Sequence, residues 1–156
     1  MFLRLIFVFF FLTLFNGPSF SINRDSLMAN FRNEHLKDSL RINAIKLLAG
    51  SYQGENIDSV LSCYEKLLQF GKEKNNKRAN MEAYLGKAPC LIYSGNIEEA
   101  LKCAEKSIAL AVELGDTVNV ISCYNVLGSI YHKVASFAKS LECFQKVLRI
   151  DTLQKK

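Results

Sequence analysis

The sequence contains few of the residues that interrupt regular structure. Among its 156 residues there are two prolines, eight glycines and no tryptophan. So little proline and glycine excludes a collagen-like chain and argues against a disordered one. Because 49% of the residues are hydrophobic, the chain can bury the continuous core of one domain.

Motifs for catalysis and for metal or phosphate binding are also missing. The two histidines, His35 and His132, lie far apart, and neither belongs to a His-Glu-x-x-His pattern. The sequence has no Cys-x-x-Cys, no glycine-rich phosphate loop and no Gly-x-Ser-x-Gly elbow. A thiol–base pair of Cys90 and His132 would lack a third group to orient it. We therefore predict no enzymatic activity, no catalytic residue, no metal site and no cofactor.

Charge of one sign is not concentrated anywhere in the sequence. The 20 lysines and arginines are scattered among 15 acidic residues, which gives a net charge of +5. Domains that bind nucleic acid instead carry their basic residues in a patch or stripe. Interspersed charges of both signs are typical of solvated helix faces. We therefore predict that the protein does not bind nucleic acid.

One long apolar run opens the sequence. Residues 5–15 are almost wholly apolar, and a Gly-Pro pair follows them. At about 1.5 Å per residue, a helix of this length reaches roughly half of a ~30 Å hydrocarbon core. Ser19 and Ser21 are small residues at the two positions that a signal peptidase reads. We predict that residues 1–21 are a signal peptide cleaved before Ile22.

Cleavage at this site predicts an exported protein, either periplasmic or secreted. It leaves no stable membrane span and removes one basic residue, which lowers the net charge from +5 to +4. The alternative is an uncleaved segment that anchors the protein in the inner membrane. A buried N-terminal helix is a further interpretation, although the run has no polar face.

The remaining sequence repeats itself with a period of forty residues. In each unit, apolar residues recur every three or four positions over two stretches, which is the spacing of one helix face. Short turns such as Gly95-Asn96 separate the stretches. The pattern predicts an all-α array of antiparallel helix pairs. The residues that align are Ile57, Ile97 and Phe137; Val60, Ala100 and Ser140; Leu61, Leu101 and Leu141; Cys63, Cys103 and Cys143; and Lys66, Lys106 and Lys146.

Cap residues and a proline give the expected helix boundaries. The pairs Asp25-Ser26 and Asp38-Ser39 are the predicted N-caps of the first two helices. Pro89 falls inside a predicted helix, where it removes a hydrogen bond and clashes with the preceding turn, so we expect a kinked or shortened helix there. The predicted division is a leader helix in residues 22–37, followed by a repeat domain over 38–156 with units at about 38–77, 78–116 and 117–156.

The third unit resembles the tetratricopeptide repeat, because Leu127, Gly128 and Tyr131 take that motif's positions in the first helix and Ser140 and Phe144 take them in the second. The resemblance implies a right-handed superhelical array, an α-solenoid of about three repeats. The usual period of the family is about thirty-four residues. The longer period here also suits a HEAT-type array, but the pattern of small residues favours the tetratricopeptide interpretation. The residues predicted to pack between helices are Tyr52, Val60, Ala88, Leu91, Ala100, Leu127, Gly128, Tyr131, Ser140 and Phe144.

The odd number of cysteines means that the five cannot all pair. Cys63, Cys103 and Cys143 occupy the same position in successive units, about 10 Å apart in a stacked array. A disulfide needs Cα atoms within about 7 Å. Cys90 and Cys123 do not align at the forty-residue offset. We predict that all five are small buried hydrophobic residues.

The family resemblance implies a scaffold or adaptor that binds a protein or peptide partner. The first helices of such an array line its concave side, where we expect an extended peptide or an amphipathic helix to lie. We predict that Ile92 and Tyr93 anchor this partner and that Lys46 or Lys133 meets an acidic group. The predicted groove residues are Lys46, Gln53, Leu85, Ile92, Tyr93, Asn125, His132 and Lys133.

The chain also resembles the exported N-terminal segments of bacterial regulators. In these proteins a tetratricopeptide array precedes a transmembrane helix and then a sensor histidine kinase or a helix-turn-helix domain. The alternative function is therefore the truncated sensory region of a membrane-bound signal-transduction regulator. Arrays normally end in a polar helix that shields the last apolar face. This sequence stops at Lys156, directly after a second helix, so we expect truncation, self-association or a partner at that face.

Overall fold

The computed structural model describes residues 23–154, which form seven α-helices and no strand. The prediction of an all-α helical repeat array is confirmed. The predicted signal peptide, residues 1–21, lies outside the described residues. The helices are α1 (Arg24–Arg32), α2 (Asp38–Ser51), α3 (Ile57–Glu73), α4 (Lys77–Tyr93), α5 (Ile97–Glu113), α6 (Thr117–Lys133) and α7 (Phe137–Gln154).

Consecutive helices pack against each other along the whole described chain. Short turns join them, so neighbouring helices run antiparallel. The pairs α2–α3, α4–α5 and α6–α7 form the units of the array, and α1 packs on α2 ahead of the first pair. Helix α4 also contacts α6, so the first helices of the last two pairs lie side by side.

The turns between helices follow one local rule. Helices α3 to α7 begin twenty residues apart, at residues 57, 77, 97, 117 and 137. The four caps before α3, α4, α5 and α6 accept a hydrogen bond from the backbone N–H three residues further on, which satisfies one of the unpaired donors of the first turn. These caps are Asn56, Asn76, Asn96 and Asp116.

Ser136 holds the corresponding position before α7. The residue that precedes each of Asn76, Asn96, Asp116 and Ser136 has a left-handed backbone conformation. This geometry lets the cap's own N–H bond a carbonyl five residues earlier, as in Asn96 to Leu91 at 2.8 Å and Ser136 to Tyr131 at 2.8 Å. Three of these junctions use glycine or asparagine, which adopt positive φ readily. The φ angles are 49° at Asn75, 79° at Gly95, 64° at Gly115 and 56° at Ala135.

Ala135 is the one alanine among these left-handed positions, so glycine there should stabilise the protein. A Cβ atom in this conformation costs about 1–2 kcal/mol. We expect Ala135→Gly to raise the free energy of unfolding by about 1 kcal/mol and the Tm by roughly 3–5 °C. Thermal unfolding followed by circular dichroism measures the change. The matched control is Ala109→Gly in the exposed face of α5, which should instead destabilise by about 1 kcal/mol; stabilisation by both variants would contradict the argument.

Three details of the predicted helix boundaries differ from the structure. Helix α1 is capped by Asn23, which accepts from the Ser26 N–H at 2.9 Å, and not by Asp25-Ser26. Helix α2 begins at Asp38 after Lys37, with no side-chain cap. Helix α4 is not shortened at Pro89, because it continues to Tyr93 and has the same 17 residues as α5.

Two arginines hold α1 against α2. Arg41 of α2 is 7% exposed, and its Nε donates to the Phe31 carbonyl at 2.8 Å, near the end of α1. Its guanidinium lies over the Phe70 ring of α3, 4.5 Å from the ring centroid. In return, Arg24 of α1 donates to the Ser51 carbonyl at the end of α2. Each helix therefore receives a cation at its C-terminal end, where the helix dipole favours positive charge.

The two helices of the third pair meet at Gly128. A Cβ atom on this residue would lie 2.9 Å from ring carbons of Phe144. The Ser140 hydroxyl donates to the Gly128 carbonyl at 2.9 Å across the same contact. Of the predicted packing residues, Tyr52 and Tyr131 are half-buried and Phe144 is 37% exposed. The buried ones are Val60, Ala88, Leu91, Ala100, Leu127, Gly128 and Ser140.

Candidate functional site

Two adjacent cavities lie along the side of the array that α2, α4 and α6 form. The larger has a volume of about 830 Å³ and also includes residues of the α2–α3 turn and of α3. The smaller has a volume of about 410 Å³ and lies between the ends of α4 and α6. Both are lined by Pro89, Tyr93 and Val126, so they are neighbours. We call the two cavities together the groove.

Tyr93 is the most prominent side chain of the groove. It is 83% exposed and belongs to the lining of both cavities. An aromatic side chain this exposed offers a large contact area that is not used within the described chain. The apolar residues around it that line the groove include Ile57, Val60, Leu85, Pro89, Ile92 and Val126.

The second helix of the first pair contributes Tyr64 to the larger cavity. Its ring lies against Gly86 of α4, where a Cβ atom would be 2.1 Å from a ring carbon. Burial, and then the neighbouring Cys90 and Glu82, raise the pKa of the Tyr64 phenol above its ordinary value of 10.0. The phenol is therefore neutral at physiological pH.

Most charges near the groove are compensated within the protein. Lys46 Nζ lies 2.7 Å from Glu82 Oε2, and this glutamate is only 8% exposed. Glu55, in the lining of the larger cavity, lies 2.6 Å from Arg24 Nη2. Lys133, in the lining of the smaller cavity, has no ion pair within residues 23–154. The basic end of the groove is therefore at Lys133.

Six of the eight predicted groove residues line one or both cavities. Gln53 and Leu85 line the larger, Tyr93 lines both, and the smaller contains Ile92, His132 and Lys133. Lys46 and Asn125 line neither. The charge of Lys46 is compensated by Glu82 within the protein, and its role as a partner-binding cation stays a prediction. His132 packs edge-on against Phe137, with 5.6 Å between ring centroids.

Sequence reasoning missed the part of the groove that comes from Tyr64 and Gly86. Neither residue is among the predicted groove residues, although both line the larger cavity. One signal was available, since positions 64 and 86 correspond to 104 and 126 one unit later, where the residues are alanine and valine. In one unit the first position holds a large residue and the second holds glycine, whereas in the next unit the first position is small and the second is valine. This exchange of side-chain volume indicates that the two positions are in contact.

The five cysteines are all buried and free. Burial is the largest cause that raises the pKa of each thiol above its ordinary value of 9.0. Cys90, at 3% exposure, lines the larger cavity, whereas His132 lines the smaller, so the two do not share a cavity. Within the described residues no cluster of three or more histidine, cysteine or acidic side chains is placed to hold a metal ion.

The burial of these thiols predicts that they react slowly and that the folded protein loses stability at alkaline pH. In native protein at pH 8, we expect a thiol reagent to label none of the five cysteines rapidly and to label all five in urea.

Unfolded thiols ionise near pH 9.0, whereas the buried ones ionise only above it. Their contribution to stability is therefore complete below that pH and is lost as the pH rises. Urea titrations at pH 7 and pH 10 measure the difference, and rapid native labelling of Cys90 would contradict the buried assignment.

Comparison with known proteins gives a family match for residues 80–152. No curated protein matches the chain, whereas residues 80–152 match the family model for the tetratricopeptide repeat. Arrays of this family are generally non-catalytic and bind protein partners. The resemblance to membrane-bound regulators is not part of this match and stays a prediction. Residues 80–152, which contain α5, α6 and most of α4 and α7, belong to the tetratricopeptide repeat family.

Proposed function

We propose that the protein is an exported, non-catalytic module that binds a segment of another protein in the groove and serves as a scaffold or adaptor. The observation that carries the proposal is Tyr93, which stands exposed between two apolar cavities. Binding sites for peptides concentrate their affinity in such aromatic anchors. The larger cavity, at about 830 Å³, falls in the volume range of known ligand sites.

The groove favours a ligand with a particular order of side chains. One apolar side chain enters the larger cavity and a second enters the smaller, on either side of Tyr93. An acidic group then meets Lys133 at the basic end. An extended segment or an amphipathic helix can present this order. Glu55, the charged residue in the lining of the larger cavity, is paired with Arg24, so this cavity favours an uncharged side chain.

Selection from a random peptide display library tests the proposal, with affinities of the selected peptides measured by fluorescence anisotropy. Enriched peptides should combine two apolar residues with an acidic one. Tyr93→Ala should weaken binding by about 30-fold, which corresponds to about 2 kcal/mol at an anchor residue. Lys133→Glu should weaken binding of the acidic peptides in particular, and more strongly at low salt.

Matched controls separate the groove from general surface effects. Val118→Ala alters a side chain that is 68% exposed outside the groove, and Lys74→Glu reverses an exposed charge in the α3–α4 turn. Both should leave peptide affinity unchanged. Selected peptides that bind equally well to wild type and to Tyr93→Ala would show that the partner site lies elsewhere.

Export is the second part of the proposal and rests on the N-terminal sequence. Residues 5–15 form the apolar run, and small residues precede Ile22. No helix within residues 23–154 combines the length and the hydropathy needed to cross a bilayer. The intact mass of the natural protein in periplasmic and membrane fractions tests this part. A soluble species that begins at Ile22 is expected, whereas a larger species in the membrane would favour the sensory region of a regulator.

A further inference from the structure

We propose that a cavity between α1, α2 and α3 binds a small carboxylate that carries an apolar group. The cavity has a volume of about 280 Å³, and none of its described lining residues belongs to the groove. The site is therefore independent of the proposed peptide site. Three of its lining residues are basic, one from each helix, and three are apolar. The basic ones are Arg32, Arg41 and Lys66, and the apolar ones are Met28, Phe31 and Phe70.

Arg41 is a buried cation without a carboxylate partner in the described part of the chain. It is 7% exposed, and none of the ion pairs within residues 23–154 includes it. Residues 1–22, 155 and 156 contain no aspartate or glutamate that could supply one. Removing a charge from water without a counter-ion is costly. An anion in the cavity would offset this cost.

The guanidinium of Arg41 also has unused hydrogen-bond donors. Its Nε donates to the Phe31 carbonyl at 2.8 Å, which is its one hydrogen bond within residues 23–154. An arginine carries five N–H donors. Among the described residues, Asn80 Oδ1 is the only fully buried side-chain polar atom without a hydrogen bond, so the terminal nitrogens of Arg41 stay accessible at the cavity. Their planar arrangement matches the two oxygens of a carboxylate.

The next unit of the array fills the same position with an apolar side chain. The residue forty positions after Arg41 is Met81, which is fully buried in a core cluster. The residue forty positions after Phe70 is Leu110, which packs against the same cluster. Apolar residues can replace a buried charge without loss of stability. The repeat therefore does not require a cation at this position, which favours a role in binding for Arg41.

Lys66 departs from the repeat in the same unit. One unit later, the Nζ of the equivalent Lys106 lies 5.3 Å from the centroid of the Tyr84 ring. In the first unit, Ala44 takes the place of that tyrosine. Lys66 instead lines the cavity, where its Nζ donates to Ser62 Oγ at 2.7 Å. An ammonium group has three donors, so Lys66 can also bind an anion.

The lining favours a small monoanion. The volume of the cavity lies just below the roughly 300 Å³ of the smallest common ligand sites, which suits a carboxylate with one short aliphatic or aromatic group. Its apolar group would contact the rings of Phe31 and Phe70. Glu73 is the one acidic residue in the described lining, and its Oε1 accepts from Gln69 Nε2 at 2.8 Å. This negative charge disfavours a dianion such as phosphate.

An NMR titration of the isotope-labelled protein with phenylacetate at low salt tests the site. The backbone amides of Phe31 and Phe70 should shift, with a dissociation constant of about 1 mM for a ligand of this size. Phenylacetamide, which has the same shape without the charge, should bind at least about tenfold more weakly. Equal affinity for the two, or no shift below about 10 mM phenylacetate, would overturn the proposal. Tighter binding of inorganic phosphate would overturn the choice of a carboxylate.

Substitutions around the cavity should change the affinity in opposite directions. Arg32→Gln and Lys66→Gln remove exposed cations and should each weaken phenylacetate binding about threefold, whereas Glu73→Gln should strengthen it by a similar factor. Arg41→Lys keeps the charge but not the planar group, so it should weaken binding about tenfold. Lys133→Gln, in the groove, is the matched control and should leave the affinity unchanged. Wild-type affinity in both Arg32→Gln and Lys66→Gln would exclude this cavity, whatever the stability of the Arg41 variant.

Discussion

Replacing Arg41 with alanine is expected to lower the free energy of unfolding by roughly 3–5 kcal/mol. The variant loses the charge-assisted hydrogen bond to the Phe31 carbonyl and the guanidinium contact with the Phe70 ring. It also leaves a cavity, because Arg41 is only 7% exposed. The loss should appear in urea denaturation as a lower midpoint with a smaller cooperative unit, since α1 detaches from α2.

Two further substitutions separate volume from charge at this joint. Arg41→Met keeps the side-chain volume and should recover part of the loss. Arg41→Lys keeps the charge but not the planar group that lies over Phe70, so it should also remain less stable than wild type. Arg32→Ala, at an exposed arginine of α1, is the control and should change stability by less than about 0.5 kcal/mol. A similar small effect for Arg41→Ala would mean that α1 contributes little to the fold.

The helical array was predictable because its causes are local. Apolar residues at helical spacing and turn residues such as Gly95 recur throughout the chain, and each favours the same fold. The repeat of forty residues then fixed which helices form pairs. The cap of α1 was predicted wrongly because Asn23 and Asp25 are both good N-cap residues. The choice between them depends on where the backbone becomes extended, as it does at Asn23.

The pairing of Lys46 was not predictable, because it depends on a distance between two units. Glu82 lies thirty-six residues further along the chain and forms an ion pair with Lys46 only because α2 and α4 are neighbours. Helical spacing gave the direction in which Lys46 points, but not the group that it meets. Tyr93 was identified from its position alone. Its place between two cavities follows from Pro89 and Val126, which belong to different helices.

The contact between Tyr64 and Gly86 predicts the second large effect, in a double-mutant cycle. Gly86→Val should destabilise by about 3 kcal/mol, at the upper end of the range for overpacking, because its Cβ would lie 2.1 Å from a ring carbon of Tyr64. Tyr64→Ala should destabilise by about 2–3 kcal/mol, less than a fully buried aromatic residue, because Tyr64 is half-buried and lines the groove.

The two changes together should cost less than their sum. The double variant reproduces the combination of Ala104 and Val126 that the protein already uses one unit later, within a single core cluster. Valine then occupies space that the tyrosine ring has left, so we expect a favourable coupling of about 1–3 kcal/mol. Urea denaturation of the four proteins measures it. Additivity within about 0.5 kcal/mol would show that the two residues do not exchange volume. A favourable coupling would mean that the two positions share one space in successive units. The larger side chain fills that space from the first position in one unit and from the second position in the next.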